Sequence, residues 1–297
     1  MLINSNKNTY AIFGLLFGAM TWGIIWYPYR LLAEAGVSGV ASSFYTYSIA
    51  TAIAGVYFGK HWRGILAQPK SIIWLALFAG WTNMSYVLAV IDGEVMRIML
   101  LFYLSPLWTL LLARFWLKEP ITKLGVLSIL IALIGAYIML AGPFNAVDSH
   151  LPLPRNMAEW LALSAGMGFS LSNVITRKSN HLSIRAKSFA VWIGVMCVAL
   201  LFMPFVASSF PSPSFFNINQ WLIMGLIALL LLAATLLVQY GVTQLTAIRA
   251  SVLFLFELVV AAIAAYYLAH ESMSLNEWIG GSLIIAAALI VAFNHRD

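Results

Sequence analysis

Glu257 stands near the middle of an apolar run at 248–268. An ionisable group at such a depth points to function by default. It can carry a proton, hold an ammonium group or tie its helix to a neighbour. Asn83 and Tyr86, within Trp81-Thr82-Asn83-Met84-Ser85-Tyr86, are three residues apart and share a helical face. An amide both donates and accepts, so Asn83 can take an ammonium or a carboxylate, or make an ordinary interhelical bond. Tyr103 precedes Pro106 by three residues. Proline removes a backbone hydrogen bond and can free a nearby carbonyl, so Tyr103 is either a cavity wall or a packed aromatic. Tyr45 lies in a polar run with Ser42, Ser43, Thr46, Tyr47 and Ser48, which suits a protein- or water-facing wall or close helix packing. Trp22 lies deep in the first apolar run, while Trp26, one turn on, suits an interfacial belt. An offset of 147 residues carries these two onto Phe169 and Asn173, and Gln239 closes a later run. The candidate binding set is Trp22, Tyr45, Asn83, Tyr86, Tyr103, Phe169, Asn173 and Gln239. Arg97 and Arg249 open equivalent segments. They are candidate gates, Arg97 with Asp92 or Glu94 for instance, or else snorkelling anchors.

Catalytic chemistry is not expected. The five histidines include no i,i+4 pair, and the single Cys197 lies in an apolar run without metal-ligand neighbours. Triad spacing and a phosphate-binding loop are also missing, so neither a metal nor a cofactor is expected and the chain does not read as an enzyme.

The elements that position these residues follow from charge scarcity. The chain has 297 residues, 62% hydrophobic, with 16 Lys+Arg and 10 Asp+Glu. A soluble domain carries about 25% charged residues; this one carries 9%. That excludes a cytosolic enzyme, a disordered chain and a nucleic-acid binder, the net charge of +6 being explained by cytoplasmic Lys and Arg. Ten apolar segments fall near 10–29, 38–59, 71–91, 96–117, 121–141, 157–176, 188–208, 219–240, 248–268 and 277–294. They suit spanning helices, being about twice the length of barrel strands. The first contains Trp22, Trp26 and Tyr27 and lacks a cleavage site, so it reads as a retained helix and not as a signal peptide. With the N-terminus inside, 13 Lys and Arg fall on the cytoplasmic side and 3 (Arg30, Arg97, Arg155) on the other. Both termini are therefore expected in the cytoplasm.

Arg97, Leu101-Phe102 and Glu119 fall on Arg249, Leu253-Phe254 and Glu271 at an offset of 152. The offset of 147 carries Arg30 onto Arg177. The Pro-containing stretch at 142–156 divides the chain nearly in half. The expected fold is an all-α polytopic membrane protein of ten transmembrane helices, as two inverted five-helix repeats at 1–147 and 148–297. An odd number of spans per half inverts the second against the first, the pattern of secondary transporters with a midplane site. Glu119 and Glu271, in tight turns after their helices, are expected to cap the next helix start.

Specific residues carry a family resemblance. Each half closes on a helix, a turn with Glu (Lys118-Glu119-Pro120; His270-Glu271-Ser272) and a Gly-containing helix (Gly135; Gly280-Gly281). Leu104-Ser105-Pro106, Phe256-Glu257-Leu258 and Ala19-Met20-Thr21-Trp22-Gly23 complete the pattern. The chain resembles the EamA-type branch of the drug/metabolite transporter superfamily over nearly its whole length, and within it is similar to bacterial aromatic amino-acid exporters of the YddG type. Ser128 replaces a frequent Gly, and Leu258 follows Glu257 where the family often has Pro, so a less kinked ninth helix is expected. The resemblance implies export of aromatic and other neutral amino acids from the cytoplasm across a bacterial inner membrane, by a monomer in the lipid bilayer. The superfamily's sugar-phosphate and nucleotide-sugar exchangers are the alternative. Their anionic ligands want several cavity cations, and the mid-helix positions offer almost none. A membrane-embedded enzyme would need paired catalytic groups near one interface, and a channel would need a ring of like residues.

Overall fold

The computed structural model describes residues 2–58, 69–92, 95–140, 154, 156–206, 212–268 and 274–293, and every regular element among them is helical. Their order is α1 (Leu2–Glu34), α2 (Gly39–Phe58), α3 (Pro69–Asp92), α4 (Val95–Phe102), α5 (Ser105–Leu112) with a π-helical turn at Ala113–Leu117, α6 (Lys123–Leu140), α7 (Met157–Lys178), α8 (Ile184–Val206), α9 (Ile218–Gln244), α10 (Ala247–Phe254), α11 (Phe256–Leu268) and α12 (Leu275–Phe293). Counting α4–α5 and α10–α11 as single broken helices, the described elements make ten, at the segments the hydropathy pattern marks. Five stretches are long and apolar enough to cross a membrane: Lys7–Glu34, Pro69–Ala89, Ile184–Phe205, Ile218–Gln244 and Ala247–Leu268. Lys123–Ile138 and Trp278–Ile290 are shorter apolar helices. Such a chain is a multi-pass membrane protein. Most of the 142–156 stretch lies outside the described residues.

Helix ends follow local chemistry. Gly36, at φ +83°, terminates α1; Val37 N–H reaches back to Leu32 C=O at 2.9 Å and Gly36 N–H to Ala33 C=O at 2.9 Å, the glycine-terminated closure that satisfies a helix's last carbonyls. The Asn156 side chain accepts from Glu159 N–H at the start of α7. Asn217 and Gln220 form a reciprocal capping box on α9, and Gln220 Nε2 also donates to Ala35 C=O at 3.0 Å, fastening α9 to the α1–α2 turn.

The fourth and ninth helices are each broken once, the fourth beside the proline at which the sequence allows a bend. At the first, Leu104 N–H turns back to Leu101 C=O and Leu107 N–H to Leu104 C=O. Pro106, at the start of α5, has no N–H to continue the ladder. At the second, Leu255 N–H bonds Val252 C=O and Leu258 N–H bonds Leu255 C=O, the same tightened i→i−3 pattern. The ninth helix is therefore broken even though Leu258 and not proline follows Glu257, which corrects the expectation of a less kinked helix. Phe102 and Phe254, closing the first piece of each broken helix, are 152 residues apart.

Packing crosses the middle of the sequence. Helix α3 lies on α7 and α8, α1 on α9 and α11, α2 on α8, and α6 on α12. Small residues allow close approach: Gly194 of α8 sits against the Ala76 carbonyl of α3, and Gly166 of α7 sits so that a Cβ would lie 2.5 Å from the Phe102 carbonyl oxygen. Gly194→Ala is expected to lower the thermal midpoint in detergent by an amount equivalent to about 1–3 kcal/mol, the usual cost of overpacking. An unchanged midpoint in a thermal-shift assay would contradict this packing.

Candidate functional site

The two helix breaks and the middle of α1 meet α7 at an aromatic cluster. The Phe102 ring centroid is 4.9 Å from that of Tyr86, 5.3 Å from Tyr103 and 5.7 Å from Phe169. Phe169 in turn lies 5.0 Å from Phe254 and 6.5 Å from Trp22, and Trp22 lies 5.9 Å from Phe254. Most of these pairs are tilted or edge-on, the favourable arrangement for ring quadrupoles. Glu257, at the start of α11, borders the cluster: the Tyr103 hydroxyl donates to its carboxylate, and Tyr86 is within electrostatic reach of it. On α1, Gly23 lets α11 approach closely, since a Cβ there would lie 2.9 Å from the Glu257 backbone oxygen.

Asn83, one turn before Tyr86 on α3, donates through Nδ2 to the Tyr47 hydroxyl at 3.4 Å. Its Oδ1 is buried with no hydrogen-bond partner among the described residues. A buried acceptor without a donor has lost its hydration uncompensated. Asn173 is buried on α7, one turn beyond Phe169.

The structure thus brings Trp22, Tyr86, Tyr103, Phe169 and Glu257 together. It also adds Phe102 and Phe254, which the sequence reading aligned as a repeated pair without assigning them to the site. Their repeat at the offset of 152, beside a proline in one half, was the signal that could have found them. Tyr45 is elsewhere: its ring packs on Phe44, Phe216 and Trp221, with centroids 5.0–5.6 Å away. It is a packed aromatic beside the start of α9 and leaves the candidate site. Gln239 also leaves it, accepting from Thr176 Oγ1 at 2.9 Å in a polar group at one end of the bundle. Arg249 is buried in α10, and the side chains of Arg97, Asp92 and Glu94 lie outside the described residues.

That polar group ties several helix ends together. Glu119 Oε1 accepts from Arg177 Nε at 3.0 Å, and Oε2 from Ala247 N–H, the first residue of α10, at 3.0 Å. Arg177 Nη1 donates to Thr243 C=O at 2.6 Å. Lys187, fully buried, donates to Thr176 C=O and to the Thr243 hydroxyl. Glu119 was expected to cap the next helix in sequence, α6. There the Thr122 hydroxyl accepts from Gly125 N–H instead, and Glu119 caps α10 from the other half of the chain. Its counterpart Glu271 lies outside the described residues.

Comparison with known proteins agrees with this architecture. The EamA-like transporter family matches residues 9–141 and again residues 156–293. The chain belongs to the EamA-like transporter family. It is 24% identical over 231 residues to an uncharacterized transporter of Archaeoglobus fulgidus, covering 77% of this chain and 78% of that protein. It is 26% identical over 249 residues to an S-adenosylmethionine uptake transporter of Rickettsia bellii, covering 81% and 78%. A crystal structure of a protein 18% identical superposes with a TM-score of 0.74 over 96% of this chain and 97% of that one, a likeness of fold alone. The family and its named relatives are transporters, which agrees with the absence of catalytic spacing in the sequence.

Because Asn83 Oδ1 has no partner among the described residues and the bond from Nδ2 to Tyr47 is long at 3.4 Å, Asn83→Ala is expected to shift the thermal midpoint by the equivalent of less than about 1 kcal/mol. A loss of several times that in the same assay would make Asn83 a structural tie.

Proposed function

We propose that the chain exports small metabolites from the cytoplasm, first among them aromatic and other neutral amino acids, by alternating access around the aromatic cluster. The observation that carries this reading is the meeting of two broken helices at six aromatic rings and one carboxylate. Ring faces and an acidic group suit a substrate with an apolar or aromatic side chain and an ammonium group. A sugar phosphate or nucleotide sugar would need cations around its phosphates, and among the described residues the ring cluster includes no Lys or Arg. The relative named for S-adenosylmethionine supports a metabolite built on an amino acid; its name gives uptake, and export is taken here from the resemblance to amino-acid exporters.

On this reading the units 1–147 and 148–297 are inverted repeats. The support is the paired family match, the helix breaks at matching places, and the recurrence of Trp22 and Phe102 as Phe169 and Phe254 within one cluster. Interrupted helices at corresponding positions of two repeats are where transporters place their sites. The protein sits as a monomer in a bacterial inner membrane with both termini cytoplasmic, as the Lys and Arg distribution favours. The Glu119–Arg177 end of the bundle is then the cytoplasmic end. Glu257 either couples transport to protons or anchors α11 to Tyr103.

Purified protein in liposomes is expected to give saturable flux of labelled phenylalanine, tryptophan or leucine. Phe102→Ala and Phe254→Ala should each raise KM about tenfold or more, the scale of an aromatic contact with its buried area. Absence of flux for every amino acid contradicts the proposal. If Glu257 couples, an imposed pH gradient drives accumulation by the wild type and not by Glu257→Gln; equal accumulation by both assigns it the structural role.

A further inference from the structure

Among the described residues, the polar group at the Glu119 end holds more positive than negative charge. Arg177 has one described carboxylate partner, Glu119. Lys187 lies within electrostatic reach of Arg177, and its named hydrogen bonds go only to neutral oxygens, the Thr176 carbonyl and the Thr243 hydroxyl. Burying a lysine on neutral acceptors beside a guanidinium is costly, because the ion loses hydration without a counter-charge of its own. The surplus falls where α7 and α9 end and α8 and α10 begin, and the one carboxylate among the described residues there arrives from the opposite half of the chain. Glu119 follows the α5 side of the bundle, whereas Arg177, Lys187 and Ala247 all belong to residues beyond 156. If the halves separate at this end, as alternating access requires, Glu119 is withdrawn and the partly exposed Arg177 guanidinium and the buried Lys187 ammonium are left facing the opening.

We propose that Arg177, with Lys187 behind it, forms an entry site for a carboxylate, and that Glu119 is a tethered occupant filling it when this end is closed. The site takes the carboxylate of a small-molecule substrate arriving from the cytoplasm. A guanidinium is suited to carboxylate recognition through several N–H donors, and the first N–H of α10, held by Glu119 when closed, offers an additional donor at a positive helix end. Substrate and Glu119 carboxylates then compete for the same cations, so binding at the entrance favours the open arrangement. This rests on the export reading and specifies that the α-carboxylate is read at the entrance, apart from the ring cluster that reads the side chain.

The test is initial-rate transport by the full-length chain in liposomes, with substrate presented at the cytoplasmic face. Phenylalanine is compared with phenylalaninamide, which keeps ring and ammonium and lacks the carboxylate. The wild type is expected to show a KM for the acid about tenfold below that for the amide, the scale of a charge-assisted hydrogen bond. Arg177→Gln should bring that ratio close to one, with Arg177→Lys in between. Glu119→Gln keeps the shape of the side chain and removes the competitor, so it should lower the KM for the acid and widen the ratio. A merely structural ion pair predicts that both substitutions damage transport of acid and amide alike. Parallel losses, or a higher KM for the acid in Glu119→Gln, overturn the entry site. Flux without acid–amide discrimination in the wild type overturns it as well and leaves the export reading standing; absence of flux for either compound overturns both.

Discussion

Within a bilayer, backbone N–H and C=O groups have no water to turn to, so a helix can be interrupted only where other groups take over its hydrogen bonds. This protein interrupts two helices. At each break the chain tightens into i→i−3 bonds around Leu104 and Leu255, and a neighbouring helix closes over the first: the Ser170 hydroxyl donates to Ser105 C=O at 2.8 Å, while Gly166 lies against the Phe102 carbonyl. Beside the breaks, Tyr103 meets Glu257, and Phe102 and Phe254 both meet Phe169. The candidate site is built around this backbone arrangement.

Much of the scaffold was legible in the sequence because a membrane makes hydropathy nearly decisive. Charge scarcity called for spanning helices, and the ten apolar segments correspond to the ten helices, with α1 and α9 extending several residues past the apolar runs. The site was legible in part. Trp22, Tyr86, Tyr103 and Phe169 stood out by depth, spacing or the repeat offset, and all four lie in the ring cluster. Phe102 and Phe254 did not, because phenylalanine in an apolar run looks like core until a break fixes which way it faces. Tyr45 lies apart from the cluster for the converse reason: a polar neighbourhood on α2 resembles a cavity wall, yet its ring packs on Phe216 and Trp221, 171 and 176 residues away in sequence.

The break in the ninth helix shows the limit of reading proline as the cause of a kink. Leu258 has an N–H to donate, and donates it to Leu255 C=O; tertiary packing of α11 against α1, through Gly23, accompanies the interruption. Glu119 teaches a related point. Its position after a helix suggested a local cap, and it does cap a helix, but the one delivered to it by the fold, α10. Spacing along the chain reveals that a carboxylate suits a helix start; only the packing of the halves reveals which start.

On the proposed function, the transported molecule occupies the ring cluster at the two helix breaks. Photo-crosslinking with a diazirine analogue of phenylalanine, followed by peptide mapping of the labelled full-length protein, locates it. Adducts are expected around residues 22, 86, 102–103, 169 and 254, and excess phenylalanine should suppress them. Competed labelling confined to other regions, such as the Tyr45–Trp221 contact, would contradict it.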